Sequence, residues 1–298
     1  MHNFLQLLIG GMSLGAVYAL LALGFVVVFK AGGVVNFAHP ALLMVGAYFI
    51  SRFSVGYDVP FPVAVLVGVA IAVAIALLVE RLLVRQVAGH AILAVSIMTI
   101  GVDVLVQTEV TRRIGIDVLP MGDPWGSDVV DVAGVTVPQT RLIALAVSVV
   151  IITGFLAWFR LSNWGVAMRA TAEDPITASL MGIRRSRVSA VSWLIAGALA
   201  AIAGLFVTVF PSPGLEPATA AVALRAFPAA IIGGLDSVGG AVIGGLVVGV
   251  TEALAQGYAE DLSTLGTGFH TVMPYLVMVL VLLVRPTGLF GTRELHRV

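Results

Sequence analysis

Apolar residues run through this chain in long, nearly unbroken blocks, with the polar positions gathered between the blocks rather than alternating within them. Leu5 to Phe29 is an apolar run of 25 residues, long enough at about 1.5 Å per residue to cross a hydrocarbon core of about 30 Å. No Lys or Arg precedes it, so it makes a poor signal peptide. Phe61 to Val79, Ala91 to Glu109, Leu142 to Phe159, Val188 to Phe210, Val238 to Leu254 and Thr271 to Val284 repeat the pattern and predict further membrane helices. Phe37 to Ile50 is short, and reads as a tilted span, a half-helix or a re-entrant segment; Ala218 to Gly234 is interrupted by Arg225, Pro228 and a Gly pair. The expectation is an all-α integral membrane protein, one transmembrane domain over residues 1–298 with eight or nine transmembrane segments. Gly11-x-x-x-Gly15, Gly240-x-x-x-Gly244 and Gly245-x-x-x-Gly249 have the spacing that lets helix backbones approach closely.

The polar positions orient this bundle. Arg81 and Arg85 fall in one connection, Arg160, Arg169, Arg184, Arg185 and Arg187 in another, and Arg285, Arg293 and Arg297 in the tail. Cytoplasmic loops carry the excess of basic residues, so these three regions, the C-terminus included, are expected on the cytoplasmic side. The connections between them hold Asp58, then Asp117, Asp123, Asp128 and Asp131, then Glu216, then Glu260 and Asp261, and are expected to face outward. If Phe37 to Ile50 spans, Lys30 lies inside and the N-terminus outside; if it re-enters, the N-terminus lies inside. Spanning places Lys30 on the cytoplasmic side directly after the first helix and is the favoured reading. Within the outer loop 112–140, Asp123-Pro124, Trp125-Gly126 and the apolar alternation from Val129 to Val137 around Ala133-Gly134 read as an ordered, hairpin-like segment.

The cytoplasmic loop 160–187 is long for so compact a chain and too short for a domain. Inside it, Asp174 suits an N-cap, Pro175 the first helical position and Gly182 the position just past the end, which predicts a two-turn helix from Pro175 to Met181. Ile176 and Leu180 stand i, i+4 on it, below the acidic Glu173-Asp174 start. So short a helix needs a surface to lie against. That surface is either its own bundle or a partner into which a coupling helix inserts.

Composition narrows the function. Of 298 residues 59% are hydrophobic and 11% charged, with mean hydropathy +1.08, too few charges to coat a water-soluble protein of this size. Sixteen basic residues balance sixteen acidic ones, which argues against nucleic-acid binding. Cysteine is absent, which removes disulfides, thiolate metal sites and cysteine nucleophiles, and the five His are scattered without ligand spacing, so no metal site is expected. A P-loop needs Gly-Lys-Ser/Thr, and the single Lys30 is followed by Ala31. The chain carries no ATPase motif of its own and no visible catalytic constellation. It is expected to be neither an enzyme nor the holder of a cofactor.

Charges inside membrane segments are functional candidates by default. Asp103 and Arg225 are two such charges; they could pair with each other, or Arg225 could meet a substrate carboxylate. Glu252, near an outer helix end, reads as solvated, and Asp236, directly after Gly233-Gly234, as an N-cap for the next helix. Asn36 and His39 follow the flexible Gly32-Gly33 and suit either an inner gate or the capping of a helix start. Tyr18 and Phe227 either line an apolar path for an aliphatic side chain or pack as ordinary aromatics.

Several motifs then carry a resemblance. Glu173-Asp174-x-x-x-Ala178-x-Leu180-x-Gly182-Ile183 resembles the coupling loop of permease subunits in ABC importers for branched-chain amino acids. Gly11-x-x-x-Gly15-x-x-Tyr18-Ala19-Leu20-x-Ala22-Leu23-Gly24, Asn36-Phe37-Ala38-His39 and Met44-x-Gly46-Ala47-Tyr48 are similar to that family's opening helices, and Leu224-Arg225-Ala226-Phe227-x-Ala229-Ala230-x-x-Gly233-Gly234-Leu235 and Arg285-Pro286-x-Gly288-Leu289-Phe290-Gly291 to its closing ones. The Asn-Phe-Ala-His form resembles the shorter of two paired permease types. Lys30, Pro40 and Asp236 stand where the family pattern has glycine, Gly239 where it has proline, and Asp103 where it has a small residue.

The resemblance implies a permease in a bacterial-type plasma membrane, working with a second permease subunit, two ABC ATPase subunits that use the ATP, and an external substrate-binding protein. It implies that Glu173, Asp174 and Pro175 start the coupling helix, that Ile176, Ala178 and Leu180 fill a groove of the ATPase, that Gly182 ends the helix and that Arg184, Arg185 and Arg187 contact the rim. Related permeases carrying urea or short amides share these motifs and form the nearest alternative. An autonomous secondary transporter or channel is the next; it needs an ion relay or selectivity ring that these few membrane charges do not form.

Overall fold

The computed structural model describes residues 2–87, 92–125, 128–132, 135–210, 213–259 and 268–292. Every apolar block forms a helix: α1 (His2–Gly32), α2 (His39–Ser51), α3 (Phe61–Val79) with its short extension α4 (Arg85–Val87), and α5 (Ile92–Ile114). A two-stranded hairpin, β1 (Val129–Val132) and β2 (Val135–Pro138), precedes α6 (Gln139–Leu161). Then come α7 (Asn163–Glu173), α8 (Pro175–Leu180), α9 (Arg185–Val207), α10 (Thr219–Gly233), α11 (Val238–Gly257) and α12 (Met273–Val284). Six helices among the described residues are long and apolar enough to cross a membrane: 4–32, 61–87, 93–114, 139–161, 185–207 and 238–257. The helices α10 and α12 are apolar but shorter. Arg293, Arg297, Glu260, Asp261, Gly126 and the Ala133-Gly134 turn lie outside the described residues.

The chain divides into two compact units that interleave along the sequence. The first comprises Met1–Val26, Ser127–Ile152 and Arg225–Val298; the second comprises Val27–Gly126 and Thr153–Leu224.

In the first unit, α1 and α11 touch backbone to backbone. A Cβ added at Gly15 would meet Leu246 Cα at 2.8 Å, and one at Gly245 would meet the backbone nitrogen of Ala19 at 2.5 Å. The small-residue spacings seen in the sequence are thus packing surfaces, with Gly240 and Gly244 turned the same way toward α10 at Gly233 and Ala229. The hairpin pairs Val129 with Pro138 through Val132 with Val135, as the alternation predicts.

In the second unit, α2 is surrounded by α3, α5 and α9. Twelve of its thirteen residues are buried, so protein covers it on nearly every side. A Cβ at Gly46 would lie 2.7 Å from Ala201 Cα, and Gly204 sits as tightly on Leu43. The helix continues into a π-helical turn, Arg52–Gly56. The Pro120 and Met121 carbonyls of the outer loop accept from Ser51 Oγ at 2.7 Å and Ser54 Oγ at 2.6 Å, so this stretch is ordered.

Candidate coupling helix and intramembrane charge network

The loop helix forms with the caps the sequence prescribes. Asp174 takes an extended conformation between α7 and α8; its Oδ1 accepts the N–H groups of Ile176 at 2.9 Å and Thr177 at 3.1 Å, and its Oδ2 accepts the Thr177 hydroxyl at 2.5 Å. The Thr177 hydroxyl, followed by the two N–H donors, holds the Asp174 carboxyl below the usual carboxylate range. Pro175 occupies the first turn. At the far end the Gly182 N–H donates to Ser179 O and the Ile183 N–H to Ala178 O, both at 3.0 Å, with Gly182 at φ +88°. This crossed pair of bonds is a Schellman stop, which a side chain with a Cβ accommodates poorly. The helix therefore closes at Leu180, one residue short of the Met181 expected, because Met181 becomes the cap.

The two faces of α8 differ sharply. Ala178 is 3% exposed and turns into its own chain, whereas Ile176 is 72% and Leu180 82% exposed, with Met181 equally open beside them. Residues two apart on a helix do not share a face, so Ala178 cannot join Ile176 and Leu180 in a partner's groove, as the resemblance had implied. Glu173, Arg184, Arg185 and Arg187 are all exposed around this stripe. Next to it, Trp164 of α7 and Ile183, Arg184 and Arg187 line a shallow cleft.

In the first unit, three side chains from α1, α10 and α11 meet inside apolar helices. Glu252 Oε1 accepts from Arg225 Nη1 at 2.7 Å and its Oε2 accepts the Tyr18 hydroxyl at 2.8 Å. Glu252 is thus buried and paired, not solvated, and Arg225 has Glu252 as its partner rather than Asp103. Glu252 stands 234 residues from Tyr18, a separation no local pattern bridges; the available signal was that a charge on α10 requires a counter-charge in another apolar segment. Phe227 packs edge-on against Phe25, centroids 5.3 Å apart. Asp236 does not cap α11. Ser237, in the extended conformation next to the first turn, accepts the Gly240 N–H at 3.0 Å, while Asp236 accepts the Thr292 N–H at 2.9 Å and the Thr292 hydroxyl.

In the second unit, Asp103 has a local explanation. Helix α2 has no side-chain cap of its own, and α5 supplies two. Asp103 Oδ1 accepts the Ala41 N–H and Thr99 Oγ1 accepts the Phe37 N–H, each at 3.0 Å, and Gln107 donates to Asp103 Oδ2 at 2.6 Å. Thr99, Asp103 and Gln107 recur every fourth residue and so share one face of α5. Asn36 accepts the Ala38 N–H at 3.0 Å, a bond made just before α2 rather than within its first turn, and both Asn36 and His39 are fully buried.

Comparison with known proteins gives the family. Residues 7–282 match the family described as branched-chain amino acid transport system / permease component. The chain is 34% identical over 312 residues to the high-affinity branched-chain amino acid transport system permease protein LivH of Salmonella typhimurium, covering 99% of this chain and 98% of the relative. It is 30% identical to the corresponding protein BraD of Pseudomonas aeruginosa, covering 100% and 99%. A probable branched-chain amino acid transport permease protein LivH of Methanocaldococcus jannaschii is 28% identical over 91% of this chain and 88% of its own length. No solved structure matches. The chain is a multi-pass membrane protein, a permease and not an enzyme, and it belongs to the family of permease components of branched-chain amino acid transport systems.

Proposed function

We propose that this chain is one of the permeases of an ATP-driven importer for branched-chain amino acids, with a second permease completing the pathway, two ATPase subunits on the cytoplasmic face and a binding protein delivering cargo from outside. The observation that carries this reading is α8: six residues, capped at both ends, with Ile176 and Leu180 left facing outward. Exposed apolar pairs on so short a helix are stabilised when a partner covers them, and no ATP-binding loop exists in the chain itself. The relatives' names supply the cargo class.

Closure of the ATPases on ATP displaces α8, and rocking of the permeases as rigid bodies alternates access to the pathway. The loop 160–187 and the C-terminus face the cytoplasm in this reading, and the short helices α2, α10 and α12 join the six long ones to give nine membrane segments, or eight if α2 re-enters instead of spanning. On the opposite side, Arg112 and Arg113 share Glu109 at 2.8 and 2.6 Å, which offsets two basic residues outside the cytoplasmic loops. Purification of the chain from its native membrane tests the assignment: an ABC ATPase accompanies it, and reconstituted uptake of leucine is competed by other branched-chain amino acids and not by urea. Competition by urea with no effect of isoleucine or valine would assign a different cargo.

A further inference from the structure

The Tyr18–Glu252–Arg225 network is lopsided. Both oxygens of Glu252 are engaged, one by Arg225 and one by Tyr18, and its side chain is 3% exposed. Arg225 is 20% exposed, and Glu252 accepts from Nη1 alone of its three guanidinium nitrogens. A guanidinium carries five N–H donors in a planar fork suited to bidentate contact with a carboxylate. The pair therefore keeps its acceptors closed off, while the partly exposed guanidinium, with Tyr18 also beside it, retains N–H donors beyond the one given to Glu252. Arg225 stands in the middle of α10; Phe227, two residues along and so on a different face of that helix, packs on Phe25.

We propose that Arg225 reads the α-carboxylate of the cargo as it passes, with Glu252 and Tyr18 as positioning residues that hold the guanidinium's free edge toward the ligand. The inference rests on the transport role above and adds the chemical group that is recognised. An unpaired arginine in an apolar segment would bind a carboxylate too tightly for transport. Glu252 removes the net charge, so the carboxylate meets directed N–H donors at a neutral site, strong enough to admit it and weak enough to release it. A neutral amide offers one carbonyl oxygen to the same fork and no charge, so the site discriminates against it.

The test uses the complete transporter in proteoliposomes with its binding protein loaded with leucine. Removing Arg225 alone would leave Glu252 buried without its partner, so the decisive variant is the neutral double substitution R225Q/E252Q, which removes both charges together and leaves a hydrogen-bonding amide at each position. The expected result is an assembled transporter in which leucine moved per ATP hydrolysed falls at least tenfold. Leucine transport per ATP equal to the parent's would overturn the proposal, because the pair would then serve packing alone. The conservative R225K, which keeps the charge but not the fork, is expected to lose several-fold in the same ratio if the double variant does not assemble; an unchanged ratio would likewise overturn it. A parent transporter that moves no leucine from its loaded binding protein would instead refute the transport assignment, independently of Arg225.

Discussion

The capped helix α8 and the intramembrane charge network are built on opposite plans. In α8 the caps come from within ten residues: Asp174 starts the helix and Gly182 stops it, while Ala178 is buried. The Tyr18–Glu252–Arg225 network joins three helices through contacts 27 and 234 residues apart. The first spends its polar groups on its own backbone and leaves an apolar face open. The second encloses its polar groups and leaves only the donor edge of one arginine open. A docking element has to keep its shape when its partner departs, so local caps suit it. A buried charge has to be matched wherever the bundle can supply the match.

The largest effect that separates the two is expected at Glu252. E252A leaves Arg225 uncompensated inside the membrane and costs about 3–5 kcal/mol, the usual penalty for stripping one member of a buried pair; thermal unfolding of the purified chain is expected to show it, while L180D unfolds like the parent. Next, L180D places a charge on the open face of α8 and is expected to lower ATPase affinity at least tenfold in pull-down titrations, with membrane insertion unchanged. G182V follows, because a β-branched residue at φ +88° strains the stop. Uptake is expected to fall severalfold while the permease still inserts, and unchanged uptake would count against the coupling role. D174A removes the acceptor for three donors and is expected to weaken ATPase binding less than L180D does.

The smallest effect is that of pH. The carboxyl of Asp174 is held below its ordinary value, so its capping contribution is complete above the unperturbed pKa of about 3.9 and is lost only as pH falls through the lowered one. ATPase binding to the detergent-solubilised permease is therefore expected to show no loss attributable to Asp174 between pH 8 and 5.

The same contrast explains what the sequence disclosed. Asp174, Pro175 and Gly182 are legible because capping chemistry acts within one helical turn, and the end of α8 differed by a single residue only because Met181 serves as the cap. The hairpin of 129–138 was legible from alternation. The sequence reads Glu252 as solvated because its partners lie on other helices, and it leaves a pairing of Asp103 with Arg225 open although the Asp103 carboxylate caps α2, whose own N-cap position holds Ala38. The shortness of Phe37 to Ile50 left three readings open because the apolar pattern cannot distinguish a helix covered by lipid from one covered by protein, as α2 is.

The central claim is that the open face of α8 is where the ATPase engages. The most direct measurement is co-purification of the ATPase subunits with the parent chain and with the I176D/L180D double variant, both confirmed to be inserted in the membrane at equal levels. Stoichiometric ATPase is expected with the parent and less than a tenth of it with the variant. Equal recovery with both would contradict it.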